Sequence, residues 1–207
     1  MNLMTICSLI LAAYLLGSIP TSYLFGRSRG IDLRQHGSRN IGATNALRVL
    51  GTKIGIITMI IDIAKGFFAV YVSKLILPDI PVLYLIFIGL AAVIGHIFTI
   101  FLKFKGGKGV ATSAGVFLAL APAASLIAVL VFIIVIAISK YVSLGSILAA
   151  AALFIYELII NLSNSFQNYE ILIFTSVIFM FILIKHRSNI NRILKGEENK
   201  LNFRGKK

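Results

Sequence analysis

From Val82 to Leu102 the chain carries no Asp, Glu, Lys or Arg, and comparable apolar stretches recur along its 207 residues. About 20 apolar residues in an α-helix cover the hydrocarbon core of a bilayer. Only 13% of the residues are charged and 58% are hydrophobic. A soluble domain carries about 25% charge, so a soluble or disordered chain is excluded. The single cysteine, Cys7, excludes an internal disulfide and a cysteine-based zinc site. With no Trp, Tyr and Phe must serve at the membrane interface.

The pattern predicts an all-α, polytopic integral membrane protein with about seven transmembrane helices in one membrane domain, 1–207. The amino end lacks the basic region of a signal peptide, its first positive side chain being Arg27, so 3–25 reads as a retained first span. Spans follow at 54–77 and 82–102, joined by a turn at Pro78-Asp79-Ile80-Pro81. Pro122 and the segment Lys140–Ser143 divide the next apolar stretch into 110–121, 123–139 and 144–161. The first of these is short for a crossing and is tilted, re-entrant or thinly covered. A polar turn, 161–170, precedes the last span, 171–185.

All but Lys65 and Lys74 of the 20 Lys and Arg lie in the first loop (26–53), the third loop (103–109), at Lys140, or at and beyond Lys185. With seven spans and the N-terminus outside, these positions share the cytoplasmic side, as the positive-inside rule requires. The chemistry is then expected on the cytoplasmic face. Six spans would separate the basic first loop from the basic tail.

Topology accounts for the charge but not for the residues between the charges. The first loop reads HGSRNIGATNALRVLG (36–51) and the third FKGGKGVAT (104–112). Glycines admit an anion to backbone N–H groups, hydroxyls and amides donate to its oxygens, and Lys or Arg supply charge. A helix opening after the third loop adds its dipole. A Walker nucleotide loop is rejected: Gly107-Lys108 is followed by Gly109, Leu102 stands five residues before Gly107, and no strand precedes it.

Asp62 and Lys65 share one helix face inside a span, and a mutual ion pair pinning helices is preferred to catalysis. Glu157 has no evident local partner; structural and functional roles stay open. His36, His96 and His186 show no metal-ligand spacing, and neither a metal nor another cofactor is expected. His96 reads as a buried hydrogen-bonding residue. His186 and Asn189 face one way if a helix continues past the last span. That segment is either a basic amphipathic tail on anionic lipid or part of a phosphate site.

GSRNIGATNALR, GHIFTIFLKFKGGKGVAT and HRSNINRILKGEE, in this order among apolar spans, resemble the bacterial acyl-phosphate:glycerol-3-phosphate acyltransferases. GSIPTSYL (17–24), DIAKG (62–66) and KYVSLGSI (140–147) match as well. The resemblance implies transfer of a fatty acyl group from acyl phosphate to glycerol 3-phosphate, releasing lysophosphatidic acid and phosphate in phospholipid synthesis. It implies no direct use of acyl-CoA, and the His-x4-Asp motif of acyl-CoA-type enzymes is absent. The partners implied are the two substrates and membrane lipid, with no nucleic acid.

The resemblance marks Ser38, Asn40, Thr44, Asn45 and Arg48 in the first motif, and Lys105, Gly106, Gly107, Lys108 and Gly109 in the second. It marks His186, Asn189, Arg192 and Glu198 in the third, with Ser143 among the substrate-binding positions. Ser38, Arg48, Lys108, His186 and Asn189 are the expected catalytic set. Arg48, Lys108, His186 and Asn189 are assigned to glycerol 3-phosphate, Ser38 and the glycine-rich backbone to acyl phosphate. Two departures stand out: Arg39 where the family has Gly, which strains the turn if φ must be positive, and Thr99 where it has Pro, which predicts a blunter end to the third span.

An acyl phosphate is already activated, so the acceptor hydroxyl can attack directly once positioned. A substrate phosphate oxygen is preferred to His186 as proton acceptor. An acyl-enzyme on Ser38 is disfavoured for want of an adjacent base. A transporter of organic phosphate is the rival reading, opposed by polar motifs confined to one face and by the lack of an inverted repeat. A lipid-binding scaffold would need the charge but not the Gly/Asn/Thr pattern.

Overall fold

The structure, a computed structural model, describes residues 2–166 and 169–201. Every regular element among them is helical: α1 (Leu3–Ser18), α2 (Thr21–Arg27), α3 (Ala43–Leu50), α4 (Thr52–Ile76), α5 (Val82–Ile97), α6 (Val110–Leu120), α7 (Pro122–Ser139), α8 (Val142–Ser163), α9 (Tyr169–Lys185) and α10 (Arg187–Leu194), with a 3-10 turn at Ile100–Leu102. Among the described residues, five segments are long and apolar enough to cross a bilayer: Leu3–Arg27, Thr52–Ile76, Val82–Leu102, Pro122–Ser139 and Val142–Ser163. The pair α9 and α10, bent by 58°, makes a sixth if taken together, and α6 is shorter. On α7, Leu126, Leu130, Ile133, Ile134 and Ile138 are each more than half exposed. Lipid suits that surface as water does not. The end of the basic tail, from residue 202 on, lies outside the described residues, as do residues 167 and 168 in the polar turn.

The chain forms two compact units, one through Ala119 and one from Leu120. In the first, α1 packs on α5 and α4 on α6 so closely that backbone fills the place of side chains. A Cβ on Gly17 would collide with the carbonyl of Ala92, and one on Gly66 with that of Thr112. Small residues permit this approach, which gains dispersion contact where lipid offers no hydrophobic drive.

The first span is not the single helix that 3–25 suggests. Pro20 has no N–H, and Ile19 before it is extended (φ −57°, ψ 114°), so the helix breaks into α1 and α2. Tertiary partners answer the carbonyls at the break. Thr99 Oγ1 donates to Ser18 O, and Lys65 Nζ donates to Ile19 O at 3.1 Å. Asp62 pairs with Lys65 at 2.9 Å and accepts from Thr21 Oγ1 at 3.1 Å. The intramembrane pair therefore pins α4 to the break between α1 and α2. Losing one partner would leave a buried charge, a cost of about 3–5 kcal/mol.

Thr99 does not blunt the end of α5, contrary to expectation. Its φ of −64° is one proline would adopt, and its hydroxyl accepts the N–H of Phe101, starting the 3-10 turn. In the second unit, Pro122 occupies the first turn of α7, and Lys140 ends that helix in a left-handed conformation (φ 63°). The segments α7 and α8 form a hairpin, α9 packs on α8, and α10 contacts both α8 and α9. The backbone N–H of Leu201 donates to Lys140 O, which ties the segment after α10 to the α7–α8 turn. Glu157 is buried on α8.

Candidate active site

The first loop is more ordered than its composition suggests, because α3 folds inside it. Ala46 and Leu50 on one face of α3 pack with Leu33, Ile41, Ile54 and Leu102. Thr44 and Arg48, four apart and half-buried, share a different face. Leu102 belongs to the 3-10 turn before the third loop, so this cluster joins the first and third loops within one unit.

Asn45 is buried and holds the loop together. Its Oδ1 accepts the N–H of Ser38 at 2.8 Å, and its Nδ2 donates to Leu33 O at 3.2 Å and His36 O at 3.1 Å. Gly37 turns between them at φ 61°, where a Cβ would strike Asn45 Oδ1. The amide thus shapes the loop rather than reaching outward, and it leaves Ser38 exposed and Asn40 half-buried at the turn. Arg39 has φ 59°, the left-handed conformation in which glycine is unstrained. Asp32 upstream is pulled down to about 2 by the side-chain hydrogen bond from Arg34, helped by the Arg34 N–H. Its carbonyl meets His36 Nδ1 at 2.9 Å.

The glycine-rich third loop uses its backbone differently from the expectation. The N–H of Gly106 donates to Ile97 O at 2.9 Å and that of Gly107 to His96 O at 3.0 Å. These donors cap the end of α5 and are not presented to an anion. The glycines are needed for proximity: a Cβ on Gly106 would meet His96 O, and one on Gly107 would meet His96 Nε2. Lys103 and Phe104 precede them with φ 52° and 60°, consecutive left-handed residues that composition did not announce. Lys105 is exposed, Lys108 half-buried, and Gly109 (φ 84°) leads into α6.

In the second unit the third motif and Ser143 come together around Glu198. Its Oε1 accepts from Ser143 Oγ at 2.8 Å and Asn189 Nδ2 at 2.7 Å, and its Oε2 accepts from Arg192 Nε at 2.7 Å. Burial pushes the Glu198 carboxyl up, but the hydrogen bonds from Asn189, Ser143 and Arg192, with the charge of Arg192, outweigh it and leave the group below its ordinary value. A carboxylate repels phosphate, so Glu198 orients its donors and does not itself hold an anion. His186 is buried, and its Nδ1 lies 2.8 Å from Ile182 O. A carbonyl only accepts, so Nδ1 carries a proton and donates to it. Sequence reasoning assigned Asn45, Gly106, Gly107, Ser143 and Glu198 to substrate. Its signal was the match to the family's motifs, which does not say whether a polar group faces ligand or chain.

Long apolar helices, with the motif residues gathered in loops and in the segment after α9, define a polytopic integral membrane protein. The chain belongs to the glycerol-3-phosphate acyltransferase family, matching it over residues 7–196, and is an acyltransferase. The glycerol-3-phosphate acyltransferase of Trichlorobacter lovleyi is 49% identical over 92% of this chain and 95% of its own. Crystal structures of PlsY, an integral membrane glycerol 3-phosphate acyltransferase, superpose with TM-scores of 0.87 for the glycerol 3-phosphate form and 0.84 for the lysophosphatidic acid form. Each is 37% identical and covers 96% of both chains.

Proposed function

We propose that the chain moves a fatty acyl group from acyl phosphate to glycerol 3-phosphate, giving 1-acylglycerol 3-phosphate and phosphate for phospholipid synthesis. The observation that carries this reading is the likeness to one fold seen with glycerol 3-phosphate and with lysophosphatidic acid, an acceptor and its acylated product. The donor follows from the absent His-x4-Asp motif and the cation-bearing loops.

By the motif resemblance, Arg48, Lys108, His186 and Asn189 are the proposed ligands of glycerol 3-phosphate, and Arg192 is a further proposed substrate-binding residue. Ser38, Asn40, Thr44 and Lys105 are assigned to acyl phosphate. Asn45, Gly106, Gly107, Gly109, Ser143 and Glu198 shape these groups. The acceptor hydroxyl attacks the acyl carbon, the oxyanion is stabilised by donors, and the acyl C–O bond to phosphate breaks with its electron pair leaving on phosphate. A phosphate oxygen of the substrate takes the hydroxyl proton. The protein is proposed to cross the bacterial inner membrane seven times as one membrane domain, N-terminus outside and motif loops in the cytoplasm.

Purified protein in detergent, given acyl phosphate and glycerol 3-phosphate, is expected to release phosphate and form the monoacyl product; turnover on acyl-CoA alone would overturn the donor assignment. Arg48→Ala and Lys108→Ala are each expected to lose about 1.5–3 kcal/mol of substrate stabilisation, whereas Lys195→Ala, an exposed cation after α10, changes little. Labelled acyl phosphate without acceptor should leave no label on the denatured protein. Label that vanishes in Ser38→Ala would establish an acyl-enzyme instead. Single cysteines in a Cys7-free background, probed with an impermeant reagent, test the orientation.

A further inference from the structure

His96 is buried near the end of α5 and touches two polar features of the first unit at once. On one side, its Nδ1 lies 3.8 Å from Asp62 Oδ1. That is too long for a hydrogen bond, but the carboxylate is held by Lys65 and Thr21 and forms a fixed wall. On the other side, its Nε2 occupies the space a side chain on residue 107 would need. Its own carbonyl accepts the Gly107 N–H at 3.0 Å, while the next carbonyl, of Ile97, accepts that of Gly106 at 2.9 Å.

We propose that His96 is a positioning residue for Lys108, its ring wedged between the Asp62–Lys65 pair and Gly107 so that the loop can enter α6 in only one place. The proposal rests on the reading of Lys108 as a phosphate ligand. Lys108 follows Gly107 directly, so its Cα moves with that residue across one peptide of about 3.8 Å. Deleting the ring leaves a void under Gly107 that the loop can relax into. A displacement of about 1 Å is enough to weaken a positioned contact severalfold or more. The intramembrane ion pair thereby gains a second consequence: it pins α4 to the helix break and backs the imidazole that sets the loop.

The test is a double-mutant cycle on the purified full-length enzyme, reading KM for glycerol 3-phosphate and kcat separately. Lys108→Ala should raise KM about tenfold or more, His96→Ala about fivefold, and the combined variant no more than about twofold beyond Lys108→Ala. Multiplying effects in the double variant, or an unchanged KM in His96→Ala, would overturn the positioning role. An unchanged KM in Lys108→Ala would instead sink the ligand reading, so the two failures are distinct. A second arm stands apart from Lys108. Gly107→Ala should raise KM because its methyl meets the His96 ring, and adding His96→Ala should recover part of that loss. Deeper impairment in the pair would contradict the wedge. Monodispersity in detergent and the unfolding midpoint are recorded for each variant. If His96→Ala does not fold, His96→Ser, which likewise removes the ring, replaces it in both arms.

Discussion

Asn45 in the first unit and Glu198 in the second each gather three polar partners, one with a neutral amide and the other with a carboxylate. The amide both accepts and donates, so it can bind one backbone N–H and two backbone carbonyls and fix a loop's main chain. The ionised carboxylate only accepts, so all its partners must be donors, and they are side chains: a hydroxyl, an amide and a guanidinium. A main chain is shaped without adding charge. Side chains that would meet phosphate are held by a negative charge, which aligns donors and tempers the local positive field.

The comparison breaks most sharply at Asn45. Asn45→Asp would turn two donating hydrogens into an oxygen facing the carbonyls of Leu33 and His36, in a buried site. A loss of about 3–5 kcal/mol is expected, read from denaturant titration of the detergent-solubilised protein, with Asn45→Ala losing less. Equal losses would mean the donor pair is unimportant.

Glu198→Gln keeps the shape but removes the charge and turns one arm into a donor among donors. An effect of about 1.5–3 kcal/mol is expected, confined to the second unit if hydrogen exchange is followed by segment. An unaltered exchange pattern around α10 would show that Glu198 is not its organiser.

The two hubs should also separate by pH. The Glu198 carboxyl lies lower in the folded chain than its ordinary 4.5, so its stabilisation is complete above 4.5 and is lost as pH falls through the lower native value. The unfolding midpoint should therefore drop on acidification below 4.5 in the parent chain and drop less in Glu198→Gln. Asn45→Ala should leave that acid limb in place. The smallest expected effect is a gain: Arg39→Gly relieves a left-handed backbone at φ 59°, worth about 0.5–1 kcal/mol after the added unfolded-state freedom of glycine is offset. No rise in midpoint would mean the Arg39 side chain compensates for its backbone.

Helix content was legible from the residues because a long apolar run in lipid must satisfy its backbone within itself. The apolar runs at 82–102, 123–139 and 171–185 are helical over most of their length, within Val82–Ile97 and the Ile100–Leu102 turn, Pro122–Ser139, and Tyr169–Lys185. Proline and the charge at Lys140 marked the breaks for the same local reason. The order of the three motifs carried the family. The short helix α3 was hidden in a loop, and α10 was legible only as a conditional continuation past the last span, since eight residues with mixed polarity hold a helix only when one face is packed, here against Leu33, Ile41 and Leu102 for α3.

Tertiary structure alone decided where polar groups point. Ser143 meets Glu198 across 55 positions, Thr99 meets Ser18 across 81, and Lys65 meets Ile19 across 46. Nothing local selects such partners. The residue types at Asn45, Gly106 and Gly107 suited an anion as well as a backbone. Once the chain closed, these donors paired with acceptors of the chain itself, backbone carbonyls for Asn45, Gly106 and Gly107 and the Glu198 carboxylate for Ser143.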